Sequence, residues 1–266
     1  MPMNNEKGPI LVVDIGNSSI VCAVFEDNEL LARYRMPSTI HAGTQEYFSR
    51  IGQIMPEYPL ALFKYIALGS VVPYLTSVWD DMLSRHSNAM IYPINGLSPI
   101  GLRYLNKDRS TVGADLVANA FAAWKKYRSS TLIVDLGTAT TIQLVTADAL
   151  YAGVAIAPGM KTAASQLFSK AAQLNEINLV APKNIVGYDT EEAMRSGIVL
   201  GHALMIRAFI DEIRHNYPQY APYKVILTGG LASSIAALCP ADYILDSDLT
   251  LWGFYWALIS LISESA

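Results

Sequence analysis

The stretch ILVVDIGNSSIVCAVF, residues 10–25, decides the fold. It reads as an apolar strand, a sharp turn and a second apolar strand. The first strand ends in an acid, Asp14, followed by Gly16, Asn17, Ser18 and Ser19. A buried strand gains nothing from a carboxylate, and the turn carries more small polar groups than packing requires. Residues 132–145, LIVDLGTATTIQLV, repeat the pattern, with Asp135 in the place of Asp14. A repeat this far apart indicates a duplicated domain, since solenoid periods run about 20–50 residues.

Working outward, the turn EDNEL leads into a third strand over Leu30–Met36, completing an antiparallel meander. Helical spacing covers residues 44–57, KYIALGSVVP reads as a buried strand, and Pro73 opens the next helix. AMIYPI is a further strand, and GADLVANAFAAWKKY, residues 113–127, is an amphipathic helix. The sheet pattern then restarts near Thr131 and continues through Ile156, with a turn at Asp148. A helix over Lys161–Leu174, one or two helices between residues 189 and 217, and the strand KVILTGG follow. The aromatics of YRMP and YWAL read as packing.

The chain has 266 residues, enough for one large domain or two of about 130. Hydrophobic residues make up 52% and charged residues 16%, which supports a large core. Net charge is −4 with no Lys/Arg-rich run, which argues against nucleic acid as the main partner. The first ten residues are polar and mixed, unlike a signal peptide. The apolar stretch Leu249–Ser263 is shorter than the roughly 18 residues of a membrane span. It reads as a helix buried in the core or at a subunit interface, with no membrane partner. Two cysteines, Cys22 and Cys239, make no disulfide framework, so a cytoplasmic, reduced protein is expected. His41, His86, His202 and His215 show no metal-ligand spacing.

The turns themselves suggest chemistry. Glycine lets backbone approach a ligand closely. Backbone N–H groups with Asn17, Ser18, Thr138, Thr140 and Thr141 could form an oxyanion cradle. A carboxylate beside a phosphate requires a cation between them, so Asp14 and Asp135 imply Mg²⁺ or another hard cation. Two such turns facing each other would clamp a nucleoside triphosphate. The alternative is a pair of ordinary hairpin turns with Asp as turn former.

With the TGG strand end at residues 228–230, the layout resembles the superfamily of sugar kinases, acetate kinases, Hsp70 ATPase domains and actin. Four segments narrow it. VGADLVANAFAAW, DLGTATT, GVAIAPGM and GYDTEEAMRSG resemble the corresponding segments of type III pantothenate kinases. The order holds from residue 11 to about residue 230. The resemblance implies an α/β fold of two duplicated ribonuclease H-like domains with an ATP cleft between them, the actin-like ATPase fold. The halves would be residues 1–118 and 119–266.

It further implies ATP-dependent phosphorylation of pantothenate, the first step of coenzyme A biosynthesis, by a homodimer. Asp14, Ile15, Gly16, Asn17, Ser18, Ser19, Ile20 and Val21 would hold ATP phosphates, with Asp14 near Mg²⁺, and Thr138 would touch ATP. Tyr104, Gly113, Ala114, Asp115 and Leu116 would line the pantothenate site, with Asp115 as proton acceptor. Asp135 would ligate a monovalent cation, K⁺ or NH₄⁺, and Thr190 would reach pantothenate across the dimer interface. Asp115 at a helix start sits in the positive end of the helix dipole, which favours the carboxylate; a plain helix-terminal acid is the alternative.

Three positions depart from the family pattern. Ser18 replaces Thr and keeps the hydroxyl. Gln143 stands where Asp is frequent. Leu116 stands where the family has Arg, and it can neither pair with a carboxylate nor orient a base. Either a basic residue of the preceding loop, Arg103, Lys107 or Arg109, compensates, or the chain is a catalytically impaired homologue acting as a nucleotide-binding regulatory protein.

Overall fold

The computed structural model describes residues 8–171 and 174–264. Residues 1–7, most of the stretch read as unlike a signal peptide, lie outside the described residues. So do positions 172 and 173, which the helix expected to reach Leu174 would include. The chain divides into two units. The first holds the chain up to Ile100, Asp108–Ala122 and the chain from Thr250; the second holds Gly101–Lys107 and Ala123–Leu249.

In the first unit, β1 (Ile10–Ile15), β2 (Ser19–Glu26) and β3 (Glu29–Pro37) form the expected meander. Asp27 and Asn28 turn the second corner with φ of 49° and 63°, the left-handed pair that a two-residue hairpin needs. Then come α1 (Thr44–Ile54), β4 (Tyr65–Ser70), α2 (Pro73–His86, with Pro73 in its first turn) and β5 (Met90–Ile94). The sheet order is β3-β2-β1-β4-β5, with β4 parallel to β1 and β5 parallel to β4. Leu11, Val13, Ile15, Ile20 and Cys22 pack one face against Tyr47, Trp79 and Leu83 of the two helices. Burying each large apolar side chain there contributes roughly 1.5–3 kcal/mol.

The edge strand β6 (Arg103–Tyr104) belongs to the second unit. The helix α3 (Ala114–Tyr127) begins in the first unit and ends in the second. It leads to β7 (Ser130–Leu136), β8 (Ala139–Val145), β9 (Leu150–Pro158) and α4 (Met160–Lys170). The remaining elements are α5 (Thr190–Arg195), α6 (Gly201–Asn216), β10 (Tyr223–Thr228), α7 (Ala232–Ile235), β11 (Ile244–Leu245) and α8 (Leu249–Glu264). The second sheet runs β11-β10-β7-β8-β9-β6. Read from β9 to β11, it has the same order and the same parallel and antiparallel pairings as the first sheet, with β6 added at one edge. The duplication expected from the two acid–glycine turns is therefore present in the topology.

A π-helical turn, Ser196–Leu200, joins α5 to α6, so Thr190–Asn216 is one helical run. That run, rather than Leu249–Ser263, is the segment long and apolar enough to cross a membrane by composition. Val199, Ala203, Ile206 and Ile210 bury one face of it against Leu132, Val134 and Leu136, and about a third of its most apolar window is buried, 33%.

The linear halving at residue 118 is not the division observed. From Thr250 onward α8 belongs to the first unit. Phe25 stacks on Tyr255 with ring centroids 4.5 Å apart, and Trp252 meets Phe25 edge-on at 4.9 Å. Gly69 of β4 lies under the Phe254 ring, where a Cβ would come within 2.1 Å. Gly253 lets α8 press on α3, since a Cβ there would stand 2.0 Å from the Ala118 carbonyl oxygen. Phe254 and Gly253 thus need the first unit's own backbone, which is why the last helix returns to it.

Gly253→Ala would gain helix propensity of about 1 kcal/mol in open space. Against the Ala118 carbonyl we expect a net loss of about 1–3 kcal/mol from overpacking, read as a lower calorimetric Tm. An unchanged or raised Tm would show that the two helices separate freely.

Candidate active site

In both units the acid ends the central strand and faces a strand pair of the same design. Asp14 is paired with Val21 of β2 and Gly69 of β4. Asp135 is paired with Thr141 of β8 and Thr228 of β10. Both acids are half-buried. Close by, burial pushes the Cys22 thiol up to about 12, and the Asp14 charge adds to the effect, so this thiol is inert.

The first turn is closed by the Gly16 N–H donating to the Ser19 carbonyl at 3.0 Å. Asn17 and Ser18 are exposed at its tip, and Ile15 and Ile20 are buried beneath it. Two further contacts come from the end of β3 and the residue after it. The Ser38 hydroxyl donates to the Gly16 carbonyl at 2.5 Å, and the Arg35 guanidinium donates to Ser19 Oγ at 3.1 Å.

The second turn is closed by the Gly137 N–H donating to the Ala139 carbonyl at 3.0 Å. The start of α4 grips it. The Gly159 N–H and the Thr162 hydroxyl both donate to the Thr138 carbonyl, at 3.0 and 2.7 Å. A Cβ on Gly159 would lie 2.3 Å from the Gly137 carbonyl oxygen, so only glycine fits. Thr138 itself is exposed. Thr140 does not belong to the cradle as the sequence suggested. Its side chain is buried and its Oγ1 lies 2.8 Å from His202 Nε2 of α6. Burial lowers the His202 pKa, which favours the neutral imidazole in that contact.

The surroundings of Asp135 fit a cation. Thr141 Oγ1 and Thr228 Oγ1, on the strands either side of it, are buried without a hydrogen-bond partner. Gly229, at φ 90°, comes so close that a Cβ would lie 2.3 Å from Asp135 Oδ1. A carboxylate flanked by hydroxyl oxygens is the donor set of a hard cation. Among the described residues no cluster of three or more His, Cys, Asp or Glu could hold a metal, so the donor set here is one carboxylate with hydroxyl oxygens.

Asp115 stands in the first turn of α3 and is half-buried. Its Oδ1 accepts from the Leu116 N–H at 2.8 Å. It curls over Gly113, where a Cβ would meet Oδ1 at 2.6 Å. The same Cβ would touch Val71 Cγ1 at 3.4 Å, and the Val71 N–H donates to the Ile15 carbonyl at 3.0 Å. Val71 thus links the Gly113–Asp115 corner to the residue that follows Asp14. Burial raises the Asp115 pKa, and the hydrogen bond from Leu116 only partly opposes it. The helix terminus was expected to favour the carboxylate; desolvation outweighs it.

Ala114 and Leu116 are buried. Among the basic residues expected to compensate for Leu116, Arg103 is already paired with the Asp148 carboxylate and carbonyl. Lys107 and Arg109 are exposed. Tyr104 lies on β6, its ring 5.7 Å from that of Tyr151. Thr190 is the exposed first residue of α5, where Asp189 caps the helix by accepting from the Glu192 N–H at 2.8 Å. Thr190 also lines an apolar groove of about 690 Å³ between α4 and the α5–α6 run, together with His202 and Met205. Sequence reasoning missed Arg35 and His202. Arg35 sits in a segment read only for its aromatic residue, and a histidine with no metal spacing gives no signal of a hydrogen bond to a turn.

A duplicated mixed sheet with an acid–glycine turn in each copy defines the class of actin-like ATPases and sugar kinases. MreB 5 of Spiroplasma citri, solved with AMPPNP, superposes with a TM-score of 0.56 at 9% identity, covering 98% of each chain. A protein from Campylobacter jejuni described as a Baf family transcriptional activator superposes with a TM-score of 0.62 at 18% identity, covering 95% of this chain and 99% of that one. These likenesses carry the fold alone. The family model for type III pantothenate kinase matches residues 10–212. The type III pantothenate kinase of Thermomicrobium roseum is 36% identical over 92% of this chain and 94% of its own, and that of Roseiflexus sp. is 34% identical over 92% and 96%. The chain belongs to the type III pantothenate kinase family.

Asp115→Asn should lower kcat by roughly 10²–10⁴, the range for losing a positioned base. A raised folded-state pKa adds stability that is present at low pH and lost as pH rises through that pKa. The amide escapes this loss, so the variant should melt at or above the parent at pH 8. In the parent, the acid limb of kcat should lie above the ordinary Asp value of about 3.9. A variant with near-parental turnover would remove Asp115 from the chemistry.

Proposed function

We propose that this chain transfers the γ-phosphoryl group of ATP to the hydroxyl of pantothenate, giving 4'-phosphopantothenate and ADP, the first step of coenzyme A biosynthesis. The observation that carries this is Asp115, held over Gly113 and linked through Val71 to the end of β1. A base placed next to a phosphate turn is the arrangement that phosphoryl transfer to an alcohol requires.

In this reading the turn Asp14–Val21 holds phosphate oxygens through its backbone N–H groups and the Asn17, Ser18 and Ser19 side chains. Asp14 lies toward the Mg²⁺ that accompanies ATP. Thr138 contacts the nucleotide from the second turn. Tyr104, Gly113, Ala114, Asp115, Leu116 and Thr190 bind pantothenate. Asp115 takes the hydroxyl proton as the oxygen attacks the γ-phosphorus and the bond from that phosphorus to the β–γ bridging oxygen breaks. Its raised pKa suits a base that receives a proton in the transition state. Asp135, Thr141 and Thr228 would hold a monovalent cation, K⁺ or NH₄⁺, which would supply positive charge to the site. The exposed Thr190 and the apolar groove beside it support a homodimer in which Thr190 serves the partner's site. The same reading places the enzyme in the cytoplasm, free of nucleic acid and membrane.

The deciding assay measures ADP formation with and without pantothenate. Pantothenate should raise ATP turnover by orders of magnitude. A parent silent under saturating substrates, together with an active Leu116→Arg variant, would overturn the kinase reading for this chain. Replacing K⁺ by Na⁺ should slow the parent, and Asp135→Ala should abolish the difference; equal rates in both salts would remove the selective cation. Mixed Asp115→Asn and Thr190→Ala chains should regain part of the activity after subunit exchange. No rescue would place Thr190 in its own chain's site.

A further inference from the structure

The first turn carries a carboxylate at its base, yet a nucleoside triphosphate brought to it is strongly anionic. A divalent cation offsets part of that repulsion. The described contacts of the turn include one protein cation, Arg35, and it is not among the residues that the family resemblance assigned to the site.

Arg35 lies on β3, opposite Val21 of β2. Val21 is paired with Asp14, and Asp14 with Gly69. Arg35, Val21, Asp14 and Gly69 therefore form one lateral row, and cross-strand partners in a row project from the same face of the sheet. Two strand spacings of about 4.8 Å separate the backbones of Arg35 and Asp14. Arg35 is exposed, and its Nη1 donates to Ser19 Oγ at 3.1 Å. Three residues on, the Ser38 hydroxyl holds the Gly16 carbonyl, and the Ser38 N–H donates to the Ser18 carbonyl at 3.2 Å. The stretch Arg35–Ser38 thus clasps the turn at Gly16, Ser18 and Ser19. An arginine on an edge strand can serve merely to discourage edge pairing. That role does not require a hydrogen bond into the turn.

We propose that Arg35 is a phosphate-binding residue, contacting the terminal phosphates of the nucleotide from the β3 side of the first turn. The guanidinium presents five donors in a planar fork, of which Ser19 takes one, and the fork matches phosphate oxygens bidentately. This rests on the first turn being the phosphate site. It adds a second source of positive charge there, on the opposite side of Asp14 from Gly69.

The test compares Arg35→Ala, Arg35→Lys and Asp14→Asn in the full chain, with steady-state kinetics, inhibition by ADP and AMP, and melting. Arg35→Ala should raise KM for ATP and Ki for ADP by about 10- to 100-fold, the worth of a charge-assisted hydrogen bond. KM for pantothenate and Ki for AMP should change less than about twofold, and Tm should hold. Arg35→Lys, which keeps the charge and loses the fork, should recover part of the loss. Parental KM for ATP in Arg35→Ala, with Asp14→Asn impaired, would overturn the Arg35 assignment alone. An unimpaired Asp14→Asn would overturn the phosphate turn itself. A fall in Tm with unchanged nucleotide constants would reduce Arg35 to a surface residue of the edge strand. Should Arg35→Ala fail to fold, the Arg35→Lys change in KM for ATP decides in its place.

Discussion

A carboxylate that ends a central strand is the constraint on which the rest of this structure depends. Asp14 and Asp135 are each half-buried, where a charge is costly unless it is paired or hydrogen-bonded. A glycine or hydroxyls stand beside each. Gly69 lies beside Asp14, and Thr141, Thr228 and Gly229 surround Asp135. Gly69 and Gly229 beside the acids bury no apolar side chain there. The compensation is packing on the same strands: Leu11, Val13 and Ile15 in one sheet and Leu132, Val134 and Leu136 in the other are almost fully buried. Both faces of β1 and β7 are buried up to the acid, as central strands covered on two sides require, and the acid interrupts one face only at the strand's end.

The turns are held differently although they arose as copies. The first is clasped by side chains from the end of its own meander, Arg35 and Ser38. The second is gripped from the start of α4 through Gly159 and Thr162, and anchored from below by the Thr140–His202 contact. Each copy has neighbours that hold its carbonyls. Duplication preserved the strands and the acid, while the clamps diverged.

Much of this was legible in the sequence, for a definite reason. Apolar runs interrupted by Asp and Gly locate β1, β2, β7 and β8, and Pro73 locates the start of α2, because these signals are local. The family likeness at GADL and DLGTATT followed from short motifs. What stayed hidden depends on side chains meeting over long separations. Thr140 read as one hydroxyl among three in a cradle, yet 62 residues downstream His202 draws it inward. Arg103 read as a compensating cation, and nothing near it in sequence signals its exposed ion pair with Asp148, 45 residues on. Desolvation of Asp115 could not be read from a helix start, which by itself favours the charged form. The linear halving left α8 with the second half because sequence order gives no sign that it returns to the first unit.

That return has a consequence for synthesis. The second unit, apart from a short edge strand, is continuous in sequence and is finished by Leu249. The first unit begins earlier but lacks Phe254 over Gly69 and Tyr255 over Phe25 until the final helix has been made. Domains fold as units while the chain emerges at about 5–20 residues per second. In a growing chain, then, the half made first is the half completed last. Until α8 emerges, Phe25 of β2 and Gly69 of β4 lack the rings that cover them. Its acid–glycine turn therefore reaches its final support only once α8 has been made, and a polypeptide stopped short of α8 would carry the turn without the packing that sets it.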